Sequence, residues 1–266
     1  MYSPMSIALQ YLRHQATASN GRGHGIHSPF VFEFVTRVLN DRTVYPSYRK
    51  IEQLRRKLLS DRSPVPIEDY GAGISGSHSV SSRSVASITA GAAKSPRLAR
   101  LLYRIVHFYQ PHYVLELGTS LGISTAYLAA ANAQAMVITA EGNHVVASMA
   151  EKNLSGLGLG NVRVVTGNFD NTLPQMLSAL PHVDLAFIDG NHREQPTISY
   201  FTQLLERMSP SSVMIFDDIH WSHGMQSAWN TICSHPSAML TIDIFRMGFV
   251  FFRPEFKVKQ HFRIRF

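Results

Sequence analysis

Cysteine is all but missing from this chain. One thiol in 266 residues, Cys233, excludes a disulfide framework and a cysteine-built zinc site, and it suits a reducing compartment. Long apolar runs are missing too: none reaches the ~18 residues that a membrane span needs. The first residues, Met-Tyr-Ser-Pro-Met-Ser-Ile, lack the basic-then-apolar pattern of a secretion signal. A soluble, cytoplasmic protein with no membrane partner is the expectation. Acidic residues are in deficit, 18 against 25 Lys+Arg, for a net charge of +7. Such a surplus can serve a polyanion. The basic residues are nevertheless scattered, with short clusters at Arg49-Lys50, Arg55-Arg56-Lys57 and Lys257 to Arg265. Surface solvation is the simpler reading, and nucleic acid is not the expected partner. No Gly-Lys-Ser/Thr triplet occurs, which excludes a P-loop.

What is present centres on residues 113–125, Tyr-Val-Leu-Glu-Leu-Gly-Thr-Ser-Leu-Gly-Ile-Ser-Thr. An apolar strand carries Glu116, a Gly-x-x-x-Gly turn (Gly118, Gly122) follows, and Ser124-Thr125-Ala-Tyr-Leu-Ala-Ala-Ala reads as a helix. Strand, glycine turn and helix are the parts of a nucleotide-binding crossover. The glycines let backbone approach a ligand, and the helix start offers N–H groups to an anion. A dinucleotide turn would read Gly-x-Gly-x-x-Gly, and this one does not.

From Tyr113 onward strands and helices alternate. Strands are expected at 113–117, 136–141, 162–167, 183–189 and 212–217, with helices at 123–133, 144–156, 171–180, 196–208 and 223–234. A final pair, 240–245 and 248–252, is joined too tightly for a parallel crossover and must be an antiparallel hairpin. The expected fold is therefore α/β: a doubly wound, mostly parallel sheet whose last strand is antiparallel. Residues 96–266 form this domain and residues 1–95 a helical N-terminal extension or lid. In the extension, Ser28 and Pro29 open a helix over 31–39 and Pro46 opens another over 46–60; past it, 97–109 is an amphipathic helix that feeds the first core strand. A second glycine cluster, Gly71-Ala-Gly73-Ile-Ser-Gly76, has no apolar strand before it and reads as a decoy inside a Gly/Ser-rich loop over 68–90. His24 and His27, beside a glycine turn, suit hydrogen bonding or a lid better than a metal site.

In such sheets ligands gather at the C-terminal strand ends. Here those ends are Glu116/Gly118, Glu141, Asn168-Phe169-Asp170, Asp189 and Asp217-Asp218. Buried carboxylates are costly without partners, so a row of them points to a site. Glu141, closing the second strand, can accept both hydroxyls of a ribose.

An acidic strand followed by Gly-x-x-x-Gly resembles motif I of the class I S-adenosylmethionine methyltransferases. Residues 97–253, roughly three-fifths of the chain, are similar to the small-molecule O-methyltransferases of the catechol and caffeoyl-CoA type. Leu-Glu-Leu-Gly-Thr-Ser-Leu-Gly-Ile-Ser (115–124), Gly167 to Met176, Phe-Ile-Asp-Gly-Asn-His (187–192) and Phe-Asp-Asp-Ile-His-Trp (216–221) carry the likeness. The resemblance implies cofactor contacts from Glu116, Gly118, Thr119, Ser120, Gly122 and Ser124. It adds Glu141 and Gly142 at the ribose, Asn168, Phe169 and Asp170 beside the adenine, and Asp189 closing the pocket. It also implies Mg²⁺ on Asp189, Asp217 and Asp218, a set of hard oxygens suited to that ion. Asp218 stands where the family has asparagine. The family's general-base lysine falls on His192, whose ordinary pKa allows it to take a hydroxyl proton at neutral pH. Without a metal, Asp189 would only close the cofactor pocket and Asp217-Asp218 would cap the next loop.

A methyl transfer to a hydroxyl oxygen of a small-molecule acceptor follows, with Trp221 and the Phe30/Phe32 segment as acceptor-side aromatics. The absence of an Asn-Pro-Pro-Tyr motif disfavours methylation of base amino groups. Methylation of RNA or protein and a non-catalytic SAM-binding module stay open as alternatives. The N-terminal residues would shape the acceptor pocket or a homodimer contact.

Overall fold

The computed structural model describes residues 2–19, 21–23, 25–68 and 80–266. In chain order the elements are α1 (Pro4–Thr17), α2 (Pro29–Glu33) continuing as a π-turn (Phe34–Leu39), α3 (Pro46–Ser60), β1 (Pro64–Glu68) and β2 (Val80–Ser84). Then come α4 (Val85–Ala92), α5 (Pro96–Tyr109), β3 (Tyr113–Leu117), α6 (Ile123–Ala131), β4 (Met136–Glu141), α7 (His144–Gly156), β5 (Val162–Thr166) and α8 (Phe169–Ser178). The chain closes with β6 (Val183–Ile188), α9 (Glu194–Leu205), β7 (Met208–Asp217), α10 (His223–Ser234), β8 (Leu240–Asp243), β9 (Met247–Phe251) and β10 (Gln260–Arg263). By contact these form two compact units, one from Arg42–Ala179 and one from Met1–Asp41 with Leu180–Phe266.

In the continuous unit β3, β4 and β5 lie side by side and parallel. Parallel strands are covered on both faces, which is why Leu115, Leu117, Ile138 and Ala140 read as near-continuous apolar runs and are buried. Helices start where polar caps precede them: Asn143 Oδ1 accepts from the N–H groups of Val145 and Val146 to open α7, and Asn168 Oδ1 accepts from Asp170 N–H to open α8.

Strand β2 occupies ground that the sequence assigned to loop, and β1 a stretch in which the sequence showed no strand. The β1–β2 register pairs Pro64 with Ser84 and Pro66 with Ser82, and Val85 N–H donates to Ser63 O at 3.1 Å. That bond places both prolines at non-hydrogen-bonded positions, so the missing N–H groups cost the ladder nothing. The glycine cluster 71–76 and His24 lie outside the described residues.

In the discontinuous unit the strand order is β10-β8-β9-β7-β6. β6 and β7 are parallel, β9 runs antiparallel to both β7 and β8, and β10 is parallel to β8. The one antiparallel strand is thus Met247–Phe251, reached through the short hairpin the sequence required. β10 is a further strand after it. The core holds Phe187, Ile215, Phe216, Phe249, Phe251 and Trp229, all buried. The architecture is α/β and Rossmann-like, with mostly parallel strands flanked by helices.

Candidate active site

Glu116 sits in mid-β3 with its side chain fully buried. Its Oε2 accepts from Thr125 Oγ1 on α6 and from Thr139 Oγ1 on β4, the latter at 2.7 Å. Its Oε1 is buried and accepts no hydrogen bond among the described residues. Burial pushes the Glu116 pKa up, against hydrogen bonds from Thr125, Ser124 and Thr139, and the charge of Glu141 adds to the rise. A buried acid with one oxygen unpartnered fits a cationic or amine donor.

The turn after β3 folds around that acid. Gly118 has φ 106° and Gly122 φ 85°, left-handed values that only glycine adopts without strain. The N–H groups of Gly118 and Thr119 both donate to Ala140 O, at 2.9 and 3.1 Å. Ser120 N–H donates to Glu141 Oε2 at 2.8 Å, and Asn143 N–H to Glu141 Oε1 at 3.0 Å. Burial raises the pKa of Glu141, opposed by the N–H groups of Asn143, Ser120 and Gly142. Each oxygen of a carboxylate has two lone pairs, so both retain capacity for a hydroxyl donor. The structure therefore sets Glu116, Gly118, Thr119, Ser120, Gly122 and Ser124 along the β3–α6 crossover and Glu141 and Gly142 at the adjoining end of β4. Asn168 and Asp170 are exposed and Phe169 is half-buried at the start of α8, after β5.

A second cluster lies in the discontinuous unit. Asp189 follows β6, Asp217 ends β7, and ligand atoms of Asp189, His192 and Asp217 all lie within 4.8 Å of one another. His192 Nε2 is 3.6 Å from Asp189 Oδ1. Positive φ at Asn191 (66°) and His192 (25°) turns the chain back so that the imidazole meets the carboxylate three residues earlier. Asp217 is buried. Asp218 is not in the group: its carboxylate accepts from Arg246 Nη1 at 3.4 Å, and its N–H donates to Arg246 O at 2.7 Å. Two carboxylates and an imidazole are a donor set that fits a divalent cation.

Sequence reading missed Thr125 and Thr139, the hydroxyls that hold Glu116. It also missed a clamp behind the β7–α10 loop. Asp243, buried on β8, accepts from His220 Nε2 at 2.9 Å and from Phe245 N–H at 2.7 Å, and pairs with His14 Nε2 of α1 at 3.3 Å. Tyr2 reaches the same loop: its N–H donates to Trp221 O, and its hydroxyl donates to Gln226 Oε1 at 2.7 Å. Phe30 instead packs edge-on against Phe251, beneath the Arg253 guanidinium, while Phe32 and His27 are exposed.

Residues 115–219 match the family described as methyltransferase domain. That segment is similar to a methyltransferase domain. It takes in both the glycine turn and the acidic strand ends. The catechol O-methyltransferase of Niastella koreensis is 30% identical over 128 residues, 47% of this chain and 57% of that protein. The chain therefore spans little more than half the length of that relative. Among solved structures, the SAH-bound Podospora anserina methyltransferase PaMTH1 superposes with a TM-score of 0.59 at 14% identity, over 85% of this chain and 97% of its own. The O-methyltransferase from Bacillus cereus in complex with SAH gives 0.53 at 21%, over 84% and 97%. At these identities the likeness establishes the methyltransferase fold.

Proposed function

We propose that the chain transfers a methyl group from S-adenosylmethionine to a hydroxyl oxygen of a small-molecule acceptor. The observation that carries this reading is the pair of carboxylates flanking the glycine turn: Glu141, which accepts from Ser120 N–H, and buried Glu116, held by Thr125 and Thr139 with Oε1 left without a hydrogen bond among the described residues. Glu116 Oε1 would receive the amine of the methionine portion, and Glu141 the ribose hydroxyls. Gly118, Thr119, Ser120, Gly122 and Ser124 would pass their backbone close to the ligand, Gly142 would border the ribose, and Asn168, Phe169 and Asp170 would flank the adenine. S-adenosylmethionine supplies a methyl already activated on a sulfonium, so the protein's task is proximity and a deprotonated oxygen.

Asp189 and Asp217 would supply the anionic ligands for Mg²⁺, which lowers the pKa of a bound hydroxyl. His192, 3.6 Å from Asp189, would then accept the hydroxyl proton. A second reading has support in the same geometry: His192 as a third ligand, since its ring nitrogen is grouped with both carboxylates. Residues 1–95 would supply the acceptor-side cover, consistent with the bonds of Tyr2 and His14 to the β7–α10 loop and to the Asp243 clamp behind it.

Calorimetric titration with S-adenosylhomocysteine, followed by methyl transfer from labelled S-adenosylmethionine to a panel of catechols and other diols, tests the proposal. Binding that collapses in Glu141→Ala, with turnover on the panel, is the expected result. Absence of binding would remove the methyltransferase reading. Binding without turnover on any acceptor would leave a SAM-binding module.

A further inference from the structure

The charge surplus is carried by two segments. Residues 1–32 and 256–266 contain no Asp or Glu, yet hold Arg13, Arg22, Lys257, Lys259, Arg263 and Arg265. Without those six, 19 Lys+Arg face 18 acids, so the rest of the chain is almost neutral.

The fold joins the segments. Ser19 and Ile264 form an isolated parallel bridge. Ser19 N–H donates to Arg263 O at 2.8 Å, and Arg265 N–H donates to Ser19 O at 3.2 Å. Along and beside β10, Lys257, Lys259, His261, Arg263 and Arg265 occupy alternate positions and are all exposed, whereas Ile264 is buried. Side chains two residues apart on extended chain are spaced by about 6.6 Å, so Arg263 and Arg265, on either side of the bridged Ile264, form a basic ridge, with Lys257 and Lys259 in the segment just before β10. Lys259 also donates to the Ser234 and His235 carbonyls at the end of α10. His261 bonds Thr241 Oγ1.

The helix leading to that bridge is apolar on its outer side. α1 turns His14 inward, but Met5 is 83% exposed, Leu9 69% and Leu12 64%. With Ala8 and Ala16, also exposed, these fall on one helical face. Val258, between Lys257 and Lys259, is 73% exposed.

We propose that α1 and β10 form a docking surface for an anionic lipid bilayer. The Met5, Leu9 and Leu12 side chains would enter the boundary between headgroups and acyl chains, and the β10 cations would meet lipid phosphates. A single-stranded nucleic acid would use the cations but leave three large apolar side chains in water. A second copy of the chain would cover the helix but bring two basic ridges together. An anionic bilayer satisfies both features. The inference departs from the expectation of no membrane partner, which rested on the lack of a spanning run. Among the described residues no helix is long and apolar enough to cross a membrane, and lying on one does not require that.

The test is flotation of the whole protein with vesicles of phosphatidylcholine alone or mixed with phosphatidylglycerol, at low and raised salt. Binding to the mixed vesicles only, weakened by salt, is expected. Arg263→Gln/Arg265→Gln should weaken it about thirty-fold, at roughly five-fold per charge, and Leu9→Gln/Leu12→Gln should weaken it at least ten-fold. All four side chains are exposed, so circular dichroism and S-adenosylhomocysteine binding should stay as in the wild type; Lys257→Gln serves if the arginine pair misfolds. Three outcomes overturn the proposal. One is no vesicle binding, or equal binding to both compositions. Another is arginine-dependent binding of an RNA oligonucleotide without vesicle affinity. The last is a dimer that Leu9→Gln/Leu12→Gln dissociates.

Discussion

The carboxylate of Glu141 lies 2.8 Å from the backbone nitrogen of Ser120. One acid at the end of β4 thus fixes the conformation of the turn after β3, and the same acid is the candidate ribose acceptor. Removing it therefore costs twice. Glu141→Gln keeps the shape and loses the charge, and a charge-assisted hydrogen bond contributes about 1.5–3 kcal/mol. Affinity for S-adenosylhomocysteine should fall about 10- to 100-fold, read by calorimetry.

Glu116 makes the opposite demand on stability. An acid whose folded pKa is raised binds its proton more tightly in the native state. The stabilisation is fully present below its ordinary value of 4.5 and is lost as pH rises through the raised folded value. Above the raised value the cofactor-free protein carries the cost of a buried charge. Glu116→Gln should melt higher than the wild type there, by about 1–2 kcal/mol, while binding S-adenosylhomocysteine at least ten-fold more weakly. Lower stability of the variant at pH 8 would show that the threonine hydroxyls outweigh desolvation.

The acidic strand ends separate two neighbouring aspartates. Asp217 belongs to the group with Asp189 and His192, and Asp218 pairs with Arg246. Titration of EDTA-treated protein with Mn²⁺, followed by electron paramagnetic resonance, should show one site abolished by Asp189→Ala or Asp217→Asn. Asp218→Asn should leave it intact. Loss in Asp218→Asn alone would assign the ion to the other carboxylate.

Asp243 is the acid-labile point of the discontinuous unit. Burial opposes its ionisation, but hydrogen bonds from His14 and His220, the His220 charge and the Phe245 N–H hold its pKa well below the usual range. Its contribution is therefore present above the ordinary value of 3.8 and is lost as pH falls below it. Asp243→Asn should lower the urea-unfolding free energy at pH 7 by about 3–5 kcal/mol. It should also flatten the decline expected of the wild type as pH falls below 3.8.

Gly248 on β9 is packed under an indole. A Cβ there would lie 2.5 Å from Trp229 Cη2 and 2.6 Å from Cζ3. Gly248→Ala should cost about 1–3 kcal/mol by overpacking, and adding Trp229→Phe should recover part of it in a thermal melt. An unchanged melting temperature in the single variant would mean that the ring moves freely.

The legible parts were those with a local code. Apolar runs ending in acids marked β3, β4, β6 and β7, the glycines marked the turn, and Gly118 and Gly122 do adopt left-handed φ. β1 escaped because its two prolines speak against a strand unless its partner is known. β10 escaped because its alternation is basic against mixed residues, not polar against apolar. The His14–Asp243 pair spans 229 positions; no window of sequence holds both residues. Asp218 read as a ligand because adjacent aspartates are indistinguishable until a left-handed φ of 51° turns one of them towards Arg246.

The bridge between Ser19 and Ile264 also sets a timetable for synthesis. Arg42–Ala179 is contiguous, 138 consecutive residues, so it can begin to assemble while the ribosome is still at work. The other unit begins first and finishes last: α1 must wait for Asp243, and Ser19 for Arg263. Through that interval the His14 side of α1, which later meets Asp243, has nothing to cover it. Residues of α1, made before the continuous unit, find their place only after it, and a change at β10 would be felt at Ser19.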